Sequence, residues 1–247
     1  MGNIYDNEGF FQDYAQMSRS RQGLAGAGEW RQLEKLFPDL RGAAVLDLGC
    51  GYGWHCQYAA DHGASEVLGI DASGRMIEEA QRRCAHPRIR YEVLGLEDYG
   101  YPPGTFDLVV SNLVLHYVSD LEGIYRRVYR TLRPGGVFLF NIEHPVFTAG
   151  VNQTWATDTE GRILHWPVDR YFEPGERMTD FLGHGVSKQH HTLTQILMGL
   201  LRAGFCLEAV EEAQPPEELL DVPGMADELR RPMMLLVSAR KEEYGQV

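Results

Sequence analysis

The sequence predicts an α/β fold in which helices cover both faces of a doubly wound parallel sheet. Short apolar runs, typical of buried strands, alternate with longer segments whose apolar residues recur at helical spacing, which indicates consecutive strand–helix units. The first run, Ala43 to Leu48, leads into a turn with three glycines at alternate positions. The second run ends in Asp71 and the fourth in Asn112. Since ligands bind beyond the carboxyl ends of parallel strands, these residues mark the expected site.

The composition argues against several classes of protein. A net charge of −12 over 247 residues does not favour a nucleic-acid backbone as partner. No apolar run reaches the length of a membrane span, and the first residues lack the pattern of a signal peptide. The four cysteines have no C-x-x-C spacing, which favours reduced thiols over disulfides or a zinc cluster. We therefore expect a cytoplasmic protein without a metal, and with neither nucleic acid nor membrane as partner.

The chain divides into three segments by its pattern. Residues 1–42 precede the first strand, and apolar residues from Phe10 to Met17 fall on one helical face. Leu24–Phe37 is predicted to be a second helix, which ends before Pro38. These helices either only cap the sheet or close over a bound ligand. Residues 43–143 and 192–247 form the predicted core domain, and residues 144–191 form an insertion.

The elements of the core are predicted from periodicity and from turn residues. Ser73 is the expected cap of the helix after the second strand, and Ser119 with Glu122 forms a capping box, as Thr192 does with Gln195. Pro134-Gly135-Gly136 is expected to stop the helix before the fifth strand. The predicted strands are Ala43–Leu48, Glu66–Asp71, Arg88–Leu94, Phe106–Asn112 with its continuation to Val118, Val137–Ile142, Phe205–Glu211 and Pro232–Ala239.

The glycine turn distinguishes two kinds of ligand. A dinucleotide site has the pattern G-x-G-x-x-G, whose third glycine lets the helix pack on the strand, but Trp54 stands at that position. The pattern is instead D-x-G-x-G-x-G, with Asp47 two residues before Gly49. A carboxylate there suits a ligand with a positive end better than a pyrophosphate. This stretch resembles motif I of the class I S-adenosylmethionine-dependent methyltransferases.

Later segments are also similar to that family. Phe106-Asp107-Leu108-Val109 resembles the family's fourth-strand sequence F-D-x-V, and the helix, Pro-Gly-Gly turn and strand that follow fit the same pattern. The resemblance is strong over about residues 43–142, and it rests on topology alone over 192–240. It implies a Rossmann-like, seven-stranded sheet whose last strand is antiparallel and lies between the fifth and sixth strands. It further implies methyl transfer from S-adenosyl-L-methionine to a small molecule, with S-adenosyl-L-homocysteine as the product.

The resemblance implies roles for individual residues. Asp47 would help to orient the cofactor's ammonium group, and Asp71 would accept hydrogen bonds from both ribose hydroxyls. Tyr14 would cover the methionyl chain, while Arg19 or Arg21 would pair with its carboxylate. The expected cofactor-binding residues are Tyr14, Arg19, Asp47, Gly49, Cys50, Gly51, Asp71, Ala72, Met76, Leu96, Glu97, Ser111 and Asn112.

The insertion breaks the strand–helix rhythm and is rich in aromatic residues and histidines. It begins at the carboxyl end of the fifth strand, and long connections of this kind in a compact domain are usually functional. We expect a substrate lid; a peripheral hairpin or a homodimer contact is the alternative. A general base is required only if the acceptor carries a proton at neutral pH, and the candidates are His116, His144 and Tyr171.

Two other functions stay open at this point. An NAD-linked oxidoreductase is disfavoured by Trp54. A non-catalytic, cofactor-binding or scaffold subunit would keep the cofactor residues and lack an acceptor. The sequence leaves the acceptor atom open among nitrogen, oxygen and sulfur.

Overall fold

The structure is a computed structural model that describes residues 3–150 and 152–242. The predicted segments 1–42, 144–191 and 192–247 therefore include residues 1, 2, 151 and 243–247, which lie outside the described residues. The strands are β1 (Ala44–Leu48), β2 (Glu66–Asp71), β3 (Ile89–Val93), β4 (Phe106–Asn112), β5 (Leu132–Glu143), β6 (Ala156–Thr157), β7 (Ile163–His165), β8 (Gly175–Phe181), β9 (His184–His190), β10 (Phe205–Glu212) and β11 (Met234–Lys241). The α-helices are α1 (Glu8–Ala15), α2 (Ser18–Gln22), α3 (Trp30–Leu33), α4 (Trp54–Asp61), α5 (Gly74–Arg83), α6 (Leu121–Thr131), α7 (Pro145–Thr148) and α8 (Leu193–Ala203).

Seven of these strands form one mixed sheet. Its order is β10-β11-β5-β4-β1-β2-β3. The strands β1 to β5 pair in parallel, whereas β11 is antiparallel to both β5 and β10. The predicted fold class is therefore confirmed. The last strand, β11, lies between β5 and β10, which are the fifth and sixth strands of the sheet in chain order. The order reverses at β1 and β4, so the carboxyl ends of these two strands flank a crevice.

Alternate residues of β5 show how the sheet is covered on both faces. Phe138 and Phe140 pack with residues of α6 and α8, while Val137 and Leu139 pack with residues of α3, α4 and α5. Both faces are buried, so the middle of the strand, residues 137–140, is entirely apolar, as expected for the centre of such a sheet.

The segment before β1, which we call the N-terminal cap (residues 3–42), differs from the prediction. The single helix predicted over Leu24–Phe37 is wrong, because a 3₁₀ turn (Gly23–Gly26), α3 and a second 3₁₀ turn (Glu34–Leu36) replace it. Gly26 explains the break, since a Cβ atom there would lie 2.4 Å from the Ser18 carbonyl oxygen. The chain folds tightly back on α2 and does not run straight into one helix.

Two details after β4 are also corrected. The strand does not continue to Val118, because Leu113 has a φ of 57° and a 3₁₀ turn follows at Leu115–Tyr117. Asp120 caps α6, and its side chain accepts a hydrogen bond from the Gly123 N–H. The predicted box of Ser119 and Glu122 is therefore wrong, because the neighbouring carboxylate is an equally good cap one residue later.

Of two further predicted boundaries of the core, one shifts and one is confirmed. The strand predicted from Val137 begins at Leu132, so β5 contains the Pro-Gly-Gly stretch that was expected to precede it. The capping box of Thr192 and Gln195 is confirmed at the start of α8.

The insertion contains two separate hairpins. Strands β6 and β7 form one hairpin, and β8 and β9 form the other, with full antiparallel register from Gly175–His190 to Phe181–His184. The β8–β9 hairpin packs on the 3₁₀ turn after β4, which places it above the carboxyl end of the sheet. In the described ranges 3–150 and 152–242, the helices are too short or too polar to cross a membrane.

The close turn in the N-terminal cap gives a first prediction. Gly26→Ala should lower the free energy of unfolding by roughly 1–3 kcal/mol, because the new Cβ atom meets backbone that has to move. Gly28→Ala is the matched control, since the nearest atom to a Cβ atom there is Pro216 Cδ at 3.9 Å. Urea unfolding of both variants measures the difference, and equal stabilities would contradict this account of the turn.

Candidate cofactor and acceptor site

The glycine turn between β1 and α4 has an open side. Gly49, Gly51 and Gly53 have φ angles of 74°, 52° and 81°, in a region that residues with side chains rarely adopt. The N–H groups of Gly49 and Cys50 both donate to the Ile70 carbonyl, at 2.8 and 2.9 Å. A Cβ atom at Gly51 would meet nothing within 4 Å. The turn is thus fixed to β2 on one side, and on the other it presents bare backbone to a ligand.

Asp71, at the end of β2, connects this turn to α5. Its Oδ2 accepts a hydrogen bond from the Gly51 N–H at 3.0 Å, and its Oδ1 accepts one from the Ser73 N–H at 2.9 Å. Burial raises the pKa of the carboxyl group, although the two backbone bonds oppose that rise. A carboxylate has about four acceptor positions, so both oxygens keep capacity for hydroxyl groups of a ligand.

Asp47 lies inside β1 with 1% of its surface exposed. Its Oδ2 accepts a hydrogen bond from the Cys56 thiol at 3.3 Å, while its Oδ1 has no hydrogen-bond partner in the described part of the chain. Burial raises the pKa of this carboxyl group to about 7. A buried oxygen without a donor is costly, so this atom is suited to a ligand that brings one.

The N-terminal cap reaches the ends of β4 and β5 through a buried carboxylate. Arg19 Nη2 donates to Glu29 Oε2 at 2.9 Å. Glu29 Oε1 accepts from the amide nitrogens of Asn112 and Asn141, both at 3.5 Å. Asn141 Nδ2 also donates to Asn112 Oδ1 at 2.9 Å. Arg19 therefore lies at the crevice in which the sequence expected it, but in a network with Glu29.

Tyr14 lies above the glycine turn. Its ring packs edge-on against Tyr52 of the turn at 5.8 Å and against Tyr5 at 5.4 Å. Burial raises the pKa of its hydroxyl group, the charge of Arg19 opposes the rise, and the charge of Asp71 adds to it. These neighbours place Tyr14, a residue of the cap, against the turn and near Asp71 at the end of β2.

The cap and the β8–β9 hairpin meet, and we call them together the roof (residues 3–42 and 175–190). Phe10 packs against Phe181 with a centroid distance of 5.9 Å. His184 Nε2 lies 2.9 Å from Asp13 Oδ2. Two segments that are far apart in sequence thus cover the carboxyl end of the sheet as one surface.

The three candidate bases lie in different surroundings. His116 is buried beneath the roof, its Nε2 lies 3.9 Å from Glu143 Oε1, and burial lowers its pKa to about 4. His144 caps α7, because its Nδ1 accepts the Val146 N–H at 3.0 Å. The Tyr171 hydroxyl accepts the Leu193 N–H at 3.0 Å, at the start of α8.

His116 and His144 lie near carboxylates of different strands, since Glu143 ends β5 and Glu212 ends β10. The Nε2 atom of His144 lies 3.1 Å from Glu212 Oε1 on β10, at the far side of the sheet. Burial lowers the pKa of His144 too, and the charge of Glu212 opposes that change. The role of each of the three as a general base stays a prediction.

The remaining predicted residues are spread along the same edge. The Ser111 hydroxyl donates to the Leu48 carbonyl at 3.0 Å, which joins β4 to β1. Met76 is buried in α5, and Ala72 is exposed beside it. The carbonyl groups of Leu96 and Glu97 accept hydrogen bonds from Tyr101 and Arg127. Leu96 and Glu97 stay predicted cofactor contacts.

Comparison with known proteins decides the family. Residues 46–140 match the family model described as a methyltransferase domain. A protein of Listeria monocytogenes assigned to the S-adenosylmethionine-dependent methyltransferases is 51% identical over 90% of this chain and 100% of that one, with a TM-score of 0.85. The chain belongs to this family. The S-adenosylmethionine-dependent methyltransferase of Mesorhizobium loti is 46% identical over 88% of this chain and 100% of its own, with a TM-score of 0.82.

Relatives with a named substrate match less of the methyltransferase. The malonyl-[acyl-carrier protein] O-methyltransferase of Enterobacter lignolyticus is 36% identical over 118 residues, which are 48% of this chain and 46% of that one. The chain thus matches about half the length of this curated relative, and the similarity concerns the shared methyltransferase domain.

The residues of the crevice fit S-adenosylmethionine, the methyl donor of this family. Its ammonium group is a donor of the kind that the buried Asp47 Oδ1 lacks among the described residues. Its ribose hydroxyls match the free acceptor positions of Asp71, and the open side of the turn at Gly51 allows close contact with backbone. The fit rests on acceptor atoms that the fold itself leaves available.

Sequence reasoning missed four residues that the structure brings to the site. All four are buried: Glu29 and Lys188 belong to the roof, while Asn141 and Glu143 lie at the end of β5. Asn141 and Glu143 end β5, so the rule that identified Asn112 at the end of β4 would also have found them. Glu29 and Lys188 come from segments whose placement no local pattern revealed.

The buried Asp47 predicts a pH dependence of stability. Its folded pKa, about 7, lies above the ordinary value of 3.8. Its contribution to stability is therefore complete below about pH 4 and is lost as the pH rises to 7, by roughly 1.4 kcal/mol for each pH unit. Asp47→Asn removes this titration while it keeps the shape of the side chain.

Thermal unfolding without cofactor at several pH values tests this prediction. The melting temperature of the unaltered protein, relative to that of Asp47→Asn, should fall by several degrees between pH 4 and 7. His55 and His116 have lowered pKa values and act in the opposite direction, but they are present in both proteins and cancel in the difference. Parallel curves for the two proteins would contradict the shifted pKa.

Proposed function

We propose that the protein transfers the methyl group of S-adenosylmethionine to a small-molecule acceptor bound between the carboxyl end of β5 and the β8–β9 hairpin. The observation that carries this proposal is the row of carboxylates and amides at the ends of β1, β2, β4 and β5, covered by the roof. Asn112, Asp47 and Asp71 lie at or near the ends of the neighbouring strands β4, β1 and β2, and binding of one extended ligand would account for this row. The insertion acts as the lid, and the β8–β9 hairpin is the part of it that covers the acceptor.

Different residues would bind different parts of the cofactor. Asp47 and the open glycine turn hold the methionyl part, Asp71 holds the ribose, and Leu96 with Glu97 holds the adenine. Arg19, which pairs with Glu29, would also pair with the methionyl carboxylate. Bound S-adenosylmethionine supplies a methyl group that its sulfonium already makes electrophilic, so the protein contributes mainly orientation and exclusion of water.

The two tryptophans of the insertion support the lid from outside. Trp166 stacks on Phe147 at 5.3 Å, and Trp155 packs on Trp166 at 5.1 Å. The Arg231 guanidinium lies 4.5 Å from the Trp166 ring centroid and 5.3 Å from that of Trp155. This cluster anchors the β6–β7 half of the insertion to the segment before β11, and it leaves the β8–β9 half to face the crevice.

Direct binding measurements test the cofactor. S-adenosylmethionine and S-adenosylhomocysteine should each bind in calorimetry and should raise the melting temperature with concentration, because they bind the folded state. NADH should give no heat of binding, since Trp54 stands where a dinucleotide turn requires glycine. Binding of NADH without binding of either S-adenosyl compound would overturn the proposed function.

Asp71→Ala tests the ribose position. The variant loses the acceptor for two hydroxyl groups and for the Gly51 N–H, and bonds to a charged group contribute roughly 1.5–3 kcal/mol each. We expect S-adenosylhomocysteine to bind at least about tenfold more weakly. Asp61→Ala is the control, because Asp61 lies exposed at the end of α4 and bonds Gln57. An unchanged dissociation constant for Asp71→Ala would place the ribose elsewhere.

A further inference from the structure

A buried charged cluster lies beneath the roof, beside the cofactor residues. Lys188 Nζ, from β9, donates to Glu143 Oε1 at 2.5 Å. Lys188 is 3% exposed, Glu143 8% and His116 3%. The three residues come from the hairpin, from the end of β5 and from the 3₁₀ turn after β4. The lid therefore delivers a cation to a carboxylate that belongs to the sheet.

Two atoms of this cluster are buried without a hydrogen-bond partner in the described ranges. They are Glu143 Oε2 and His116 Nδ1. Ion pairs that are removed from water normally satisfy their remaining oxygens with further hydrogen bonds, because a buried acceptor without a donor is costly. Here Lys188 binds one carboxylate oxygen of Glu143 and leaves the other without a hydrogen bond among the described residues.

The cluster lies on the cofactor side of the sheet. Glu143 is two residues after Asn141, so both side chains leave β5 on the same face. Asn141 bonds Asn112, the residue at the end of β4. The Asn141 Nδ2 group donates to Asn112 Oδ1 and to Glu29 Oε1. The Asn141 Oδ1 atom is a further buried acceptor without a donor among the described residues. Acceptor atoms thus continue from the cofactor residues towards Glu143.

The charges around Glu143 Oε2 select the kind of molecule that can bind there. An anionic carboxylate would place its charge against an oxygen that already carries negative charge. An ammonium group would enter beside Lys188, and like charges repel strongly where water is excluded. A neutral hydroxyl group brings one donor and no net charge, so it satisfies the free oxygen without either penalty.

We propose that the acceptor is a neutral hydroxyl compound whose O–H donates to Glu143 Oε2, with Lys188 as the residue that positions this carboxylate. This inference rests on the proposed function and narrows it to O-methylation. The acceptor oxygen forms the new bond to the methyl carbon, the carbon–sulfur bond breaks with its electron pair on sulfur, and the hydroxyl proton passes to Glu143 Oε2. Deprotonation of Glu143 by solvent completes the cycle.

The rings around the cluster indicate the body of the acceptor. Lys188 Nζ lies 5.2 Å from the Phe181 centroid. Tyr117 packs on His116 at 4.5 Å, and its hydroxyl oxygen lies 3.1 Å from that of Tyr5. Flat apolar surface of this kind suits an aromatic ring, so ring compounds are the appropriate probes.

Three probes that differ only in their head group test the inference. p-Cresol is neutral at pH 7, p-toluate is anionic and p-methylbenzylamine is cationic. Calorimetry with the complex of the protein and S-adenosylhomocysteine should show binding of p-cresol, and at least about tenfold weaker binding of the two charged probes. Preferred binding of p-toluate or of p-methylbenzylamine, or no binding of p-cresol, would overturn the inference.

Variants then locate the contact. Glu143→Gln should weaken the binding of p-cresol by about tenfold or more and leave the affinity for S-adenosylhomocysteine unchanged. Glu122→Gln, on the outer surface of α6, is the matched control and should bind all ligands as the unaltered protein does. If Glu143→Gln does not fold because Lys188 is left buried without its partner, the double variant Glu143→Gln, Lys188→Met removes both charges and should show the same loss. Unchanged binding of p-cresol by the folded variant would overturn the role of Glu143.

The same experiment separates this inference from the proposed function. If S-adenosylhomocysteine does not bind, the proposed function fails and the inference with it. If S-adenosylhomocysteine binds and p-cresol does not, only the hydroxyl acceptor fails, and the methyltransferase assignment stands. Release of S-adenosylhomocysteine from S-adenosylmethionine in the presence of p-cresol would extend the binding result to the reaction.

Discussion

The carboxylate of Asp71 is the interaction on which the cofactor crevice depends. It accepts one backbone N–H from the glycine turn and one from the start of α5, so it joins two loops that follow different strands. Without this acceptor, the Gly51 N–H would have to find another partner, and the open side of the turn would no longer have a fixed shape. A single side chain thereby fixes the glycine turn relative to the start of α5, and its two oxygens keep acceptor positions for a ligand.

Local sequence predicts the part of the site that the sheet itself builds. The local sequence determines the turn, because Gly49 has a positive φ, and a Cβ atom there would also lie 2.3 Å from Val114 Cγ2. Asp71 and Asn112 follow from a general rule, since carboxyl ends of parallel strands share one edge. The order of the strands is likewise specified by the alternation of strands and helices, together with the family resemblance.

The roof could not be predicted in the same way. Its contacts join residues far apart in the chain, such as Phe10 with Phe181 and Asp13 with His184. No periodicity in either segment indicates the other. The bend at Leu113 is a similar case, because apolar residues that suit a strand occupy a turn that brings Val114 against Gly49. Tertiary contact overrides local preference at these positions.

Two buried ion pairs that involve the roof show that this region is not arranged for stability alone. Arg19 with Glu29, and Lys188 with Glu143, both place a carboxylate that is less than a tenth exposed against a cation from the roof. Burial of such pairs costs desolvation that apolar side chains of similar size would avoid. In each pair the roof contributes the cation, but Glu29 also belongs to the roof whereas Glu143 belongs to β5. In each pair the cation binds one carboxylate oxygen and leaves the other to further partners. In the Arg19 pair that oxygen meets asparagine amides, whereas Glu143 Oε2 meets no donor among the described residues. The carboxylate of Glu29 therefore has both its oxygens hydrogen-bonded within the fold, whereas under our inference the second oxygen of Glu143 is hydrogen-bonded by a ligand.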